Sequence, residues 1–193
     1  VKVTLLAYTQ GTKKETPEQL ALSIAQVPYN TDSKTALRSA LDQGHLSILE
    51  HISFTFEIEG LSRVAQQQLT RHRLASYTIE SQRHVHETEF VMPESLANAG
   101  QGIQEMIRKH LEEAEMLVDD LSGTGFPEED VRFLMPQGTS SGTIIATMNL
   151  RELRHFFKLR LATDAQWEIR ECANEMFQLV YASCPTLFGG KDE

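Results

Sequence analysis

Apolar positions recur along the chain with two periods. VKVTLLAY (1–8) reads as an opening strand. In HISFTFEIEG (51–60), Ile52, Phe54, Phe56 and Ile58 alternate with Ser53, Thr55, Glu57 and Glu59, the two-residue period of a half-buried strand, and Gly60 stops it. TSSGTIIATMNL (139–150) predicts a further strand, and 74–92 reads as loop and short strands. The longer period predicts helices. One covers 17–27, with Thr16 ahead of Pro17 and Glu18, and another covers 33–43 behind Asp32 as N-cap. A third spans 61–73, with Leu61, Val64, Ala65 and Leu69 on one side. Residues 96–121 carry Leu96, Ile103, Ile107, Leu111, Ala114, Val118 and Leu121 at mostly three-four spacing, which predicts a long packed helix. SGTG (122–125) ends it and Pro127 opens a short one. LRELRHFFKLRL (150–161) and DAQWEIRECANEMFQLVYAS (164–183) predict the last two helices, the second stopped by Pro185. No repeat, low-complexity tract or linker interrupts the pattern. The expectation is a single α+β domain over 1–193 whose helices outweigh its strands.

One position breaks the pattern. On a helix over 149–161, at about 100° per residue, Leu150, Leu153, Phe156, Phe157 and Leu161 share a broad apolar face with Arg160 in its middle. Arg151, Arg154, His155 and Lys158 lie on the other side. A buried charge needs a partner. Either Arg160 serves a ligand, or it escapes to solvent at the helix C-terminus, where the dipole favours a cation. Cations on two opposite faces suit two different surfaces, such as those of two subunits.

Charge sharpens the question. Asp and Glu number 27 against 18 Lys and Arg, a net charge of −9, yet RHRLASYTIESQR (71–83) places three arginines in thirteen positions. An acidic chain is a poor binder of nucleic-acid backbones, so local arginines point to a small anion in a pocket. Guanidinium forks match phosphates and stack on flat rings, so Arg71, His72, Arg73 and Arg83 suit a ligand with both. They suit equally a solvated basic face pairing with Glu80 and Glu87.

Other chemistry is weakly signalled. His84-x-His86 with His51 offers a metal site without a recognisable full ligand set, which would make a metal-dependent phosphohydrolase. No Gly-rich loop follows a strand. Cys172 and Cys184 lack metal spacing and a predicted neighbouring base, and two cysteines suggest a reducing cytoplasm. No apolar run reaches the roughly 20 residues that span a bilayer, and VKVTLLAYTQ lacks the features of a signal peptide.

The spacing of Arg71-His72-Arg73 and Ser81, with seven residues between, resembles the signature of the flavin-dependent thymidylate synthases. GHLSILEH (44–51), RFLMP (132–136) and NLRELRHFFKLRLATDAQWEI (149–169) resemble further segments of that family in the same order, so the likeness covers about 44–169. It implies a mainly antiparallel α+β fold and a homotetramer whose active sites are built from several subunits. It also implies an enzyme that methylates dUMP to dTMP, with 5,10-methylenetetrahydrofolate as carbon donor, NADPH-reduced FAD as hydride source and no cysteine nucleophile. By match to the family's motifs, Ser47, Arg71, His72, Arg73, Asn149, Arg151 and His155 would hold FAD, with His45 against the flavin and Ile79 contributing backbone. Gln68, Arg71, Ile79, Glu80, Ser81, Gln82, Arg83, Arg132 and Arg160 would hold dUMP, and Arg160 would polarise the uracil. Metal, nucleic acid and membrane are not implied. His84 stands where the family often has tyrosine, and His155 where several members have asparagine. A nucleotide-sensing or RNA-binding module using the same arginines without turnover is the competing reading.

Overall fold

A computed structural model, which describes residues 1–29, 31–83 and 89–188, turns the two-residue period into a four-stranded antiparallel sheet. β1 (Lys2–Tyr8), β2 (Ser53–Glu59), β3 (Ala75–Ile79) and β4 (Thr143–Asn149) lie in the order β1-β2-β4-β3. The register explains the alternation. Phe54, Phe56 and Ile58 sit opposite Met148, Ala146 and Ile144, and the last two pair in turn with Tyr77 and Ile79 of β3. One face is thereby a continuous apolar surface, whereas on the other the Thr55 and Thr147 hydroxyls meet at 3.0 Å.

Helices cover the apolar face. α1 (Pro17–Ala25) begins with a capping box between Thr16 and Gln19, and α2 (Ser33–Asp42) is capped by the Asp32 carboxylate. After β2, α3 (Arg63–Leu69) leads to β3. α4 (Glu94–Ala97), α5 (Gln101–Leu121) and α6 (Glu128–Val131) lie between β3 and β4, and α7 (Leu150–Arg160) and α8 (Trp167–Ser183) follow. α8 packs across β1 and β2 with Ile169, Cys172, Ala173, Met176 and Val180 all buried at helical spacing. Its buried Glu168 accepts from both the backbone N–H and the hydroxyl of Ser62, so α8 clamps the start of α3. Among the described residues no helix is long and apolar enough to cross a membrane.

Two helical expectations need correction. α3 ends at Leu69 rather than at residue 73, because the Thr70 hydroxyl bonds back to the Gln66 carbonyl at 3.1 Å and the chain turns, and Val64 on its supposed inner side is 40% exposed. The helix expected over 96–121 starts only at Gln101, and Leu96 belongs to the separate α4. It is also not packed as expected. Val118 alone is buried, and Ile103, Met106, Met116 and Leu117 are exposed. The period is helical, but this chain supplies too little surface to cover the stripe.

Candidate active site

α7 is built to present cations. Asn149 caps it, accepting from the Glu152 N–H at 2.9 Å, and Leu150, Leu153, Phe156 and Phe157 anchor it in the core. Its outer side and the turn after α3 bound a cavity of about 1340 Å³. Arg71 and Arg73 enter from the turn, Arg151, Arg154, His155, Lys158 and Arg160 from α7, and Leu46 from the 3-10 segment Leu46–His51. Among the described residues, six Lys and Arg side chains line this cavity with one carboxylate, Glu152. Leu74 and Leu159, 67% and 45% exposed, add apolar wall. Arg151 pairs with Glu50, and Arg154 bonds the Leu187 carbonyl and lies 5.9 Å from the centroid of the Phe188 ring.

The two opposite cationic faces expected on α7 are therefore one. Arg160 lies in the last turn, where its long stem carries the guanidinium to the cavity that Arg151, His155 and Lys158 also line. It is half-buried and held. Nε donates to His72 Nε2 at 3.1 Å, one terminal nitrogen reaches Gln68 Oε1 at 3.4 Å, and the other reaches the Gln68 carbonyl at 3.3 Å. His72 is 3% exposed, with Nδ1 3.1 Å from Glu152 Oε1 and the Phe156 ring edge-on at 4.8 Å. Burial pushes the proton affinity of His72 below the ordinary value, outweighing the Glu152 hydrogen bond, and the Arg160 charge acts the same way as burial.

A second cluster gathers beyond the other end of β3. Glu80 Oε2 accepts from the Thr143 N–H at 2.9 Å, and the Ser81 hydroxyl accepts from the Arg83 N–H at 3.3 Å. Arg83 lies 3.6 Å from Glu129, whose carbonyl accepts from Arg132 Nε at 3.3 Å. Arg63 reaches the Glu80 carbonyl and Gln66 Oε1, and its Nε is buried without a partner among the described residues. Burial, and then the charge of Arg132, lowers the Arg63 guanidinium from its ordinary value. A five-residue strand at about 3.4 Å per residue separates the clusters by roughly 14 Å. Gln68, Arg71 and Arg160 thus lie together at one end, and Glu80, Ser81, Gln82, Arg83 and Arg132 at the other, within one chain.

The remaining residues singled out in the sequence fall in several places. His45 and Ser47 are exposed and flank Leu46 at the cavity, and the Tyr29 hydroxyl meets His45 Nδ1 at 2.6 Å. Asn149 Oδ1 is taken by the helix cap. Ile79 ends β3, on the side of the second cluster. His84, His86 and Glu87 lie outside the described residues, and among the described residues no group of three or more potential ligands gathers for a metal. Both cysteines are buried, and burial pushes each thiol up to about 12. Two groups escaped the sequence reading. Glu152 stands three positions after Asn149, where an acid reads simply as a favourable first-turn residue, and Arg63 reads as an ordinary helix-start side chain.

A family model described as "Thymidylate synthase complementing protein" matches residues 4–186. A flavin-dependent thymidylate synthase of Pyrococcus abyssi is 44% identical over 193 residues, covering 92% of this chain and 78% of that protein. One of Sulfurisphaera tokodaii is 38% identical over 197 residues, covering 97% and 76%, and one of Geobacter sulfurreducens is 38% identical over 205 residues, covering 97% and 85%.

Proposed function

The chain belongs to the flavin-dependent thymidylate synthase family, and we propose that it methylates dUMP to dTMP as one domain over 1–193, with 5,10-methylenetetrahydrofolate as carbon donor, NADPH-reduced FAD as hydride source and no cysteine nucleophile. The observation that carries this reading is the convergence of Arg71 and Arg73 with the cations of α7 on one cavity.

The donor set fits a dinucleotide. Arg71, Arg73, Arg151 and Lys158 supply fork and point charges for a pyrophosphate. Leu74, Leu159 and His155 offer surface for flat rings, and a cavity of about 1340 Å³ has room for them. His45 and Ser47 flank Leu46 at this cavity, and Asn149 caps the first turn of α7, from which Arg151 reaches it. When bound, reduced FAD supplies the hydride that completes the methyl group. The chain's own part is orientation and electrostatics. Arg160, partly desolvated and tied to Gln68 and His72, presents a fixed positive charge to a pyrimidine carbonyl. Two buried thiols with raised proton affinity support a route without thiolate attack.

The separation of the dUMP residues supports a shared site. Ser81, Arg83 and Arg132 of one copy would complete the pocket that Gln68, Arg71 and Arg160 of another begin. Exposed Met106, Met116, Leu117 and Phe133 supply apolar surface for the homotetramer that sharing requires.

The test is spectroscopic. Purified protein is titrated with FAD, reduced anaerobically by NADPH, and given dUMP with methylenetetrahydrofolate. Flavin reoxidation with dTMP appearing is expected. A chain that binds dUMP but no flavin, or whose reduced flavin ignores both substrates, returns the nucleotide-sensing reading to first place.

A further inference from the structure

Arg160 and Glu152 stand eight residues apart on α7, about 12 Å along the helix axis at 1.5 Å per residue, too far to touch. His72, from the turn after α3, fills the gap between them. Arg160 Nε–H can only donate, so His72 Nε2 is the unprotonated nitrogen and the ring proton of the neutral imidazole sits on Nδ1. That N–H points at Glu152 Oε1, 3.1 Å away, and Glu152 is itself 5% exposed. The Phe156 edge and the Tyr77 hydroxyl, which donates to the Leu69 and His72 carbonyls at 2.8 and 3.0 Å, fix the ring and the turn that carries it.

We propose that Glu152 is a positioning residue for Arg160, acting through His72. The carboxylate accepts only from a ring protonated on Nδ1. It thereby excludes the other tautomer, which would turn an N–H donor toward the Arg160 Nε–H and push the guanidinium out of place. Three of the five guanidinium N–H groups are then held by His72 and Gln68, and two remain for a ligand in the cavity. The role of His72 in this arrangement is to lie behind Arg160, with both ring nitrogens engaged inside the chain. The inference rests on the proposed function only in taking the ligand of Arg160 to be the pyrimidine of dUMP.

The experiment compares flavin-loaded wild type with Glu152→Gln and Glu152→Leu. Visible absorption gives flavin affinity, calorimetry gives dUMP affinity without turnover, dTMP formation gives kcat/KM, and selective 15N-histidine NMR gives the His72 tautomer. In Glu152→Gln the amide oxygen still accepts from Nδ1–H, so kcat/KM for dUMP stays within about 3-fold of wild type. In Glu152→Leu it falls about 10- to 100-fold, by analogy with loss of the carboxylate behind a metal-bound imidazole, with flavin affinity changed less than about 2-fold and the His72 proton moved to Nε2. Wild-type kcat/KM in Glu152→Leu overturns the proposal, as does a Glu152→Gln loss as deep as that of Glu152→Leu, or flavin and dUMP affinity lost in step. Should Glu152→Leu not fold, the wild-type spectrum decides: a His72 protonated on Nε2 overturns the proposal, and one protonated on Nδ1 supports it. Wild type that makes no dTMP refutes the proposed function alone, since the tautomer is read without activity.

Discussion

His72 Nε2 accepts a hydrogen bond from Arg160 Nε at 3.1 Å across 88 residues of sequence, inside a pocket edge where the imidazole is almost wholly shielded from water. The arginine that broke the apolar pattern of α7 is therefore neither buried alone nor free in solvent. Its Nε is matched to the one nitrogen of the ring that lacks a proton.

This bond separates two kinds of arginine. Arg160 is tied inward, whereas Arg73 is exposed at the cavity mouth. Arg160→Ala is expected to keep flavin affinity within about 2-fold and to lower dTMP formation at least about 100-fold, the scale of losing one preorganised electrostatic contact. Arg73→Ala is expected to raise the flavin Kd about 10-fold, or about 1.4 kcal/mol. Flavin titration followed by turnover on both variants checks the pair. Equal flavin loss in Arg160→Ala would move that residue to the cofactor side.

The thiols offer a second check. Because burial pushes Cys172 and Cys184 up to about 12, neither is a thiolate at neutral pH. Cys172→Ala and Cys184→Ala should each retain dTMP formation within about 3-fold, the small change of a group outside the chemistry, and iodoacetamide should leave the native enzyme active. A variant that binds dUMP but makes no dTMP would contradict the thiolate-free route.

Stability should respond to pH through His72. Its proton affinity is lowered in the folded state from an ordinary value of 6.5, chiefly by burial. Below that value the unfolded chain takes up a proton that the native chain refuses, so stability rises with pH in this window. The contribution is complete above pH 6.5 and is lost as pH falls through the lowered folded value. The slope approaches about 1.4 kcal/mol per pH unit for one proton. Urea unfolding between pH 7 and 5 should show a steeper fall in wild type than in His72→Gln. Parallel curves would mean that the imidazole takes up its proton equally in both states.

Glu168 makes a purely structural prediction. Both its oxygens receive hydrogen bonds from Ser62, at 2% exposure for each residue. Glu168→Ala leaves a buried N–H and hydroxyl unpaired and should cost about 3 kcal/mol, read as a lower urea midpoint at unchanged m. Since Ser62 caps α3, which carries Gln68, dUMP affinity should weaken as well. An unchanged midpoint would show that water replaces the carboxylate there.

Local rules carried much of this far. The alternation in 51–60 wrote out β2, with Phe54, Phe56 and Ile58 inward, since a strand with one buried face permits no other register. Asp32 and Thr16 marked helix starts because their side chains meet backbone N–H groups two or three residues ahead. The spacing of Arg71-His72-Arg73 and Ser81, with NLRELRHFFKLRL, was enough to identify the family and the cationic character of the site, hence the anionic character of its ligand. What these signals share is range: each reports the backbone period or chemistry of a few neighbouring residues.

Relations across the core were decided elsewhere. That α5 is helical follows from its period; that its stripe stays largely uncovered depends on how much surface the other elements bring to it. That five of the seven residues between Arg73 and Ser81 form an extended strand, placing the two arginine clusters at opposite ends, follows from pairing with β4, which lies more than sixty positions further along. Glu152 and His72 are 80 residues apart in sequence and meet only because α7 packs beside β4 while Tyr77 of neighbouring β3 holds the turn after α3 through the Leu69 and His72 carbonyls. Sequence pattern sets what each segment can form and which chemistry it carries. The summed burial of the whole core, which no single segment contains, sets which of those groups come within a hydrogen bond of one another.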